Sequence, residues 1–212
     1  MPNIDSRELI LSRIRKAKTM HLPQIPAQPE QNASVFHPIT ESEATCFKKE
    51  LELVSGKCEI CPTEAVMAKK IHHFITDSAI DKLFCRDNAI IEFLQKNKIP
   101  YTNDEAEFTT MQAAITSCEF LVARTGTVVV SSAGNSGRQL MVFPPIHLVI
   151  ATKKRLVPYL SDAITALQHQ YGDNFPSLVS FVSGPSRTAD IEKTLVLGAH
   201  GPKQLQVFLH NE

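Results

Sequence analysis

Short apolar runs alternate with segments of helical periodicity along most of this chain. Residues 120–123, 128–131 and 147–151 are rich in β-branched types, which is typical of strands buried on both faces. Shorter runs at 57–60 and 81–85 precede helical patterns in the first half of the chain. Strand–helix alternation favours the α/β class, so we predict a three-layer sandwich with a largely parallel sheet.

One helical segment is especially clear near residue 160. Leu160, Ile164, Leu167 and Tyr171 recur at helical spacing, and Gly172 can end the helix. We therefore predict an amphipathic helix there, with these four side chains on its apolar face.

The first forty residues differ from the rest. Asp5 or Ser6 can cap a first helix, and three prolines between residues 23 and 29 then favour an extended connector, because proline blocks helix there. We predict an N-terminal helix and proline-rich connector over residues 1–40 and a single α/β domain over residues 41–212.

Charge and hydropathy exclude several classes of protein. The 22 basic residues balance 22 acidic ones, and the sequence pI is about 7.1, so the basic footprint of a nucleic-acid binder is missing. No apolar run exceeds four residues, which is too short for a membrane span. The N-terminus lacks the apolar stretch of a secretory signal, so we expect a cytoplasmic protein.

The five cysteines do not form a recognisable metal motif. Cys58 and Cys61 have C-x-x-C spacing, but a zinc site needs a second pair of ligands, and an iron–sulfur cluster needs four thiolates. Two interpretations stay open: a redox dithiol, if Cys61-Pro62 opens a helix, or ordinary apolar packing. We expect no metal in this chain.

Glycine is concentrated in the second half of the chain. Gly56 is the only glycine in residues 1–118, and the other seven follow residue 125. Because glycine marks tight turns and close backbone approach, we expect the functional loops beyond residue 125.

Two of these loops offer groups for an anion. Thr125-Gly126-Thr127 can form a cradle of backbone amides and hydroxyls, or a plain strand turn. Gly137-Arg138 can place a guanidinium over a carboxylate or phosphate, or lie in a solvated hairpin. His147 begins an apolar strand, where a hydrogen-bonded core histidine is the commoner interpretation.

The third loop runs from Ser183 to Glu192, directly after a predicted strand. Ligands collect at the carboxyl ends of strands in α/β sheets, and Ser186 or Thr188 can cap a short helix there. Arg187 offers a planar fork for a carboxylate; the alternative is a cap with a structural salt bridge. The candidate ligand-binding residues of all three loops and the following turn are Thr125, Gly126, Thr127, Gly137, Arg138, Gly184, Ser186, Arg187, Thr188, Asp190, Glu192 and His200.

The stretch from Ser183 to Pro202, S-G-P-S-R-T-A-D-I-E-K-T-L-V-L-G-A-H-G-P, closely resembles the signature of the LUD domain, the lactate utilisation protein C family. Thr125–Thr127 resembles the central T-G-T of that family. Gly137-Arg138, followed by Pro144-Pro145 and His147, is similar to its next block. The family often has an acidic residue just before T-G-T, where this chain has Arg124.

The resemblance implies the fold of glucosamine-phosphate deaminases, ribose-phosphate isomerases and CoA transferases (NagB/RpiA/CoA transferase-like). Family members are associated with bacterial growth on L-lactate. They act beside two partner proteins, at least one bearing iron–sulfur clusters, that oxidise lactate to pyruvate. The resemblance thus implies iron–sulfur oxidoreductase partners and no cofactor in this chain.

Two hypotheses of function follow. In the first, the protein is an accessory or ligand-binding subunit of a lactate-oxidising system. In the second, it is a stand-alone enzyme acting on a small anionic substrate: a carboxylate, a phosphate or a CoA-linked compound. The sequence shows no phosphate loop, no nucleophile elbow and no evident nucleophile–base pair, so no catalytic residue is assigned. The first hypothesis is therefore preferred.

Overall fold

The computed structural model describes residues 6–19, 38–191 and 194–211, and the chain divides into two units, residues 1–38 and 39–212. In the first unit, α1 spans Ser6–Thr19. Most of the predicted proline-rich connector lies outside the described residues, so the 1–40 segment stays a prediction.

Four helices and eleven strands make up the described part of the second unit. The helices are α2 (Glu43–Leu53), α3 (Glu64–Asp77), α4 (Asn88–Lys96) and α5 (Leu160–Tyr171). The strands are β1 (Lys57–Cys61), β2 (Leu83–Phe84), β3 (Ala113–Thr116), β4 (Phe120–Val122), β5 (Thr127–Ser131), β6 (Ile146–Thr152), β7 (Leu156–Val157), β8 (Val179–Val182), β9 (Arg187–Ile191), β10 (Thr194–Leu197) and β11 (Gln204–His210).

The central sheet has five strands in the order β1-β11-β6-β3-β2, and every neighbouring pair is parallel. Helices α3 and α4 cover one face, where Ile71 and Leu94 pack with Leu148 and Phe208. The mixed α/β class with a mainly parallel central sheet is therefore confirmed.

The other face of the central sheet packs against α2 and a second, four-stranded sheet in the order β7-β4-β5-β8. Its inner strands β4 and β5 are antiparallel and fully buried. Both faces of β6 are thus covered, which explains why its sequence reads as a nearly continuous apolar run.

Helix α5 covers the outer face of the second sheet, but its buried face differs from the predicted one. Ala163 and Leu167 pack against the sheet, whereas Leu160 and Ile164 are exposed. The predicted stripe is wrong at its first half, where Ala163 faces the sheet in place of Leu160 and Ile164.

The predicted short helix after Ser186 is also wrong. Residues 187–191 form β9, which pairs antiparallel with β10 as a two-stranded hairpin. The two strands include the β-branched residues Thr188, Ile191, Thr194 and Val196, which favour extended backbone over helix. Glu192, one of the candidate residues, lies outside the described residues.

Helix α2 lies unusually close to two loops of the second half. A Cβ atom on Gly126, whose φ is +57°, would lie 2.2 Å from the backbone nitrogen of Leu51. A Cβ atom on Gly184, whose φ is +85°, would lie 2.4 Å from the carbonyl oxygen of Val54. Both glycines are therefore needed for the approach of α2 as well as for their left-handed backbone.

Replacing Gly126 by alanine tests this packing. Gly126→Ala should lower the free energy of unfolding by about 1–3 kcal/mol more than Gly137→Ala, because only the first places a methyl group against backbone. Gly137 is the matched control, since its φ of +63° is equally left-handed but no atom lies within 4 Å of the added Cβ. Urea unfolding measures the free energy of unfolding of both variants. Equal losses of this free energy in the two variants would contradict the packing role of Gly126.

Candidate functional site

Three of the sequence motifs meet around one cavity of about 160 Å³. Its lining includes His147, Gly184, Ser186, His200, Gly201 and Pro202. We call this space the motif cavity. It lies at the carboxyl end of β8, a strand of the second sheet that pairs antiparallel with β5. In the parallel central sheet it lies at the amino ends of β6 and β11, opposite to the edge that the strand-end argument predicts.

Backbone hydrogen bonds hold the motifs together. The Ser186 amide donates to the Pro202 carbonyl at 2.8 Å, and the Gly198 amide donates to the Ser186 carbonyl at 2.9 Å. The Lys203 amide donates to the Pro145 carbonyl at 2.8 Å. Segments far apart in sequence therefore form one rigid rim around the cavity.

His147 lies on the inner wall and is completely buried. Its Nε2 lies 2.8 Å from the Thr116 hydroxyl, whereas its Nδ1 is buried without a hydrogen-bond partner among the described residues. Burial lowers the pKa of His147 to about 4, so the imidazole is neutral at pH 7. The sequence indicated a core histidine here; the missing partner of Nδ1 had no sequence signal.

An outer groove of about 370 Å³ adjoins the motif cavity and shares Val142, His200 and Gly201 with it. Lys203 and the half-exposed Phe143 also line this groove. The outer groove therefore places a cationic side chain and an apolar side chain beside the motif cavity.

The T-G-T segment lies apart from this lining. The hydroxyls of Thr125 and Thr127 are 2.7 Å apart, and that of Thr127 is 2.7 Å from Ser183 Oγ. Gly126 packs against α2 rather than facing open space. The segment joins β4 to β5 and connects by hydroxyls to the loop after β8; its binding role stays a prediction.

Neither predicted arginine lines the motif cavity. Arg187 donates from Nη2 to the Val54 carbonyl and the Ser55 hydroxyl, both at 2.7 Å, where its charge complements the C-terminal dipole of α2. Arg138 donates to Ser177 Oγ at 2.5 Å. The two guanidinium groups therefore do not meet the loops in one pocket. The ligand-binding roles of Arg138 and Arg187 stay predictions.

The remaining candidates are placed as follows. Thr188 is half-buried on β9, and Gly137 lies in an open turn. Of Asp190 the structure describes the backbone on β9 but not the side chain. Arg124, at the position before T-G-T, is half-buried in a 3-10 turn next to α2.

A polar cluster that the sequence did not indicate surrounds Glu119. Its Oε1 accepts hydrogen bonds from Ser131 Oγ at 2.5 Å and from the Tyr171 hydroxyl at 2.8 Å. Burial and this carboxylate raise the pKa of Tyr171. The cluster ties β4, β5 and α5 together, so we interpret it as structural.

The thiols do not form a ligand set. Cys58 packs on the α2 side of the central sheet and Cys61 on the α3 side, so the two side chains of β1 point to opposite faces. Burial raises the pKa of both, that of Cys58 to about 12. Cys61 ends a strand and opens no helix, which rules out the predicted basis for a redox dithiol. Among the described residues, no group of three or more His, Cys, Asp and Glu could hold a metal ion.

A larger cavity of about 500 Å³ lies between α3 and strands β1 and β11. Lys70 and Glu59, which line it, form an ion pair at 2.5 Å. No predicted site residue lines this cavity, so the motif cavity is the stronger candidate. Within the described chain, no helix has the length and hydropathy to cross a membrane.

Comparison with known proteins places these motifs in context. The sequence model of the LUD domain matches residues 42–210. Lactate utilization protein C 1 of Bacillus mycoides is 42% identical over 90 residues, covering 42% of this chain and 38% of that protein. Lactate utilization protein C of Halalkalibacterium halodurans is 35% identical over 121 residues, covering 53% of each chain. The match thus spans about half or less of these relatives.

Solved structures show a similar fold. A DUF162 family protein from Deinococcus radiodurans superposes with a TM-score of 0.59 at 16% identity, covering 80% of this chain and 98% of that one. This likeness concerns the arrangement of helices and strands alone.

Burial of His147 predicts a specific pH dependence of stability. In the unfolded chain a histidine titrates near pH 6.5, but in the folded chain the pKa is about 4. The unfolded state therefore binds more protons between these values, and the free energy of unfolding falls as pH drops from 6.5 toward 4. The full contribution, about 3 kcal/mol, is present above pH 6.5.

Urea unfolding across this window measures the effect. His147→Gln should flatten the pH dependence relative to the wild type, whereas His72→Gln, an exposed position on α3, should not. Each variant changes one histidine and no carboxylate, so the difference between the variants isolates His147. If the free energy of unfolding of His147→Gln depends on pH as steeply as that of the wild type, burial does not hold this imidazole neutral.

Proposed function

Because the chain belongs to the LUD domain family, we propose that it is a ligand-binding subunit of a bacterial lactate-utilisation system. In this proposal it works in the cytoplasm beside iron–sulfur oxidoreductase proteins that oxidise L-lactate to pyruvate. Its own part is to bind a small anionic ligand in the motif cavity and to organise these partners.

The motif cavity carries this proposal. The family-like segments around residues 147, 184–186 and 200–202 are distant in sequence, yet they converge on a single space. Such convergence is what a binding site requires, since packing alone would not need a shared opening. The names of the relatives, lactate utilization protein C, support lactate as the relevant metabolite.

Oxidation of lactate needs an electron acceptor. Conversion of L-lactate to pyruvate breaks a C–H and an O–H bond, releases two protons and delivers two electrons to that acceptor. In this proposal the iron–sulfur partners that the family resemblance implies supply it.

A stand-alone enzyme is the second candidate. The buried imidazole of His147 beside a groove that carries Lys203 favours it, because a general base near a cation suits chemistry on a carboxylate or phosphate. The nearest neighbour of that imidazole is Thr116, on the wall of the sheet rather than in the cavity. For this reason binding remains our preferred function.

Reconstitution tests the proposal. We expect no lactate-dependent dye reduction from the purified chain alone, but a clear increase when the chain is added to its candidate iron–sulfur partners. Gly201→Val should abolish that increase, since a Cβ there lies 3.0 Å from Ser186 Cβ and fills the cavity. Gly134→Val is the control, because nothing lies within 4 Å of its Cβ.

Two results would overturn the proposal. Lactate-dependent reduction by the isolated chain would establish the stand-alone enzyme. Equal stimulation by Gly201→Val and Gly134→Val, with both chains folded, would show that the motif cavity has no part in the activity.

A further inference from the structure

The larger cavity, between α3 and strands β1 and β11, has a lining that packing does not explain. We call this space the α3 cavity; its volume is about 500 Å³. The strand residues that line it are Lys57, Glu59, Gln204, Gln206 and Phe208. Four of these five side chains are polar, although strands of a parallel sheet that helices cover are normally apolar. Polar side chains at such positions indicate a role other than packing.

Gln206 is the polar side chain that packing explains least. It lies on β11, between β1 and β6, and only 3% of its surface is exposed. Its one hydrogen bond among the described residues runs from Nε2 to the Val207 carbonyl at 3.3 Å. The carboxamide oxygen Oε1 has no protein partner there and is not fully enclosed, so it opens onto the cavity that the residue lines. A ligand that satisfies this buried group therefore gains affinity.

Within the described residues, the charged side chains of this lining are paired except for Lys57. Lys70 pairs with Glu59 at 2.5 Å, and His73 Nε2 lies 3.1 Å from an oxygen of Asp77. Lys57 is exposed at the start of β1 and has no ion-pair partner in that part of the chain. An anionic group at the mouth of the α3 cavity therefore meets a cation that no carboxylate neutralises.

The apolar part of the lining is aromatic. Phe74 on α3 is half-buried, and its ring centroid lies 6.1 Å from that of Phe208 on β11, with the ring planes at 80°. Flat ligands pack on aromatic side chains, and every nucleobase has a flat face. The α3 cavity thus combines an aromatic wall, an unsatisfied carboxamide and a cation.

We propose that the α3 cavity binds a nucleoside monophosphate. The base packs against Phe74, its polar edge exchanges hydrogen bonds with the Gln206 carboxamide, and the phosphate lies against Lys57. A carboxamide suits the edge of a base because it presents a donor and an acceptor side by side. Cavities that hold ligands of this size have volumes of about 300–1,000 Å³. The α3 cavity shares no lining residue with the motif cavity, so this inference does not depend on the proposed function.

Titration calorimetry on the full chain tests this inference. AMP, GMP, CMP and UMP are the probes, and ribose 5-phosphate is the matched ligand that lacks a base. We expect at least one of the four nucleotides to bind with one-to-one stoichiometry. Ribose 5-phosphate should bind at least about tenfold more weakly than that nucleotide, because it leaves the buried carboxamide unsatisfied.

Two variants test the individual contacts. Gln206→Leu removes the hydrogen-bonding groups, so it should weaken binding of the nucleotide at least about tenfold and leave binding of ribose 5-phosphate unchanged. Lys57→Met should weaken binding of both ligands, because both carry the phosphate. The matched controls are Gln168→Leu on α5 and Lys69→Met on α3, which are exposed, lie outside the lining and should bind as the wild type does.

The melting temperature of Gln206→Leu separates a binding role from a structural one. Replacing an unsatisfied buried carboxamide by an apolar side chain should leave the melting temperature of the chain without nucleotide unchanged or raise it. A variant that melts several degrees lower, or that does not fold, has lost a structural contact, and this result would overturn the inference.

The titrations overturn the inference in three further cases. These are no binding of any of the four nucleotides, equal affinity for ribose 5-phosphate and the nucleotides, and wild-type affinity of Gln206→Leu or Lys57→Met for the nucleotide. A chain that binds a nucleotide but does not stimulate its candidate partners would contradict the proposed function alone.

Discussion

The close approach of α2 to two glycine-bearing loops is the constraint on which the site depends. The T-G-T turn and the loop after β8 both contact the C-terminal half of this helix, at Leu51 and Val54. Any side chain at either glycine would collide with backbone that has no freedom to move aside. Arg187 adds a polar contact at the same helix end by donating to the Val54 carbonyl. The loops are thereby fixed relative to the central sheet.

Once these loops are fixed, hydrogen bonds position the other segments that line the motif cavity. The Ser186 amide bonds to Pro202, which brings the turn before β11 over the start of β6. His147 then lies beneath both turns, between the two sheets. Its neutral state results from burial, and its Nε2 lies 2.8 Å from the hydroxyl of Thr116 on the neighbouring strand. The environment of this imidazole is thus a consequence of sheet packing.

Much of the fold could be predicted from the sequence, because β-branched runs and helical spacing are local signals. The strand containing His147 and the helix ending at Gly172 are examples. The exposed Leu160 and the hairpin that begins at Arg187 were not predicted, since both depend on contacts with distant elements. Of the candidate site residues, Gly184, Ser186 and His200 line one cavity and the two arginines do not, and the binding roles of all of them stay predictions. The unpartnered Nδ1 of His147 had no sequence signal, because it depends on which distant segments pack around the imidazole.

A crystal structure of the full chain grown with L-lactate tests the central claim most directly. The account predicts electron density for L-lactate in the motif cavity. A motif cavity that contains only water would contradict it.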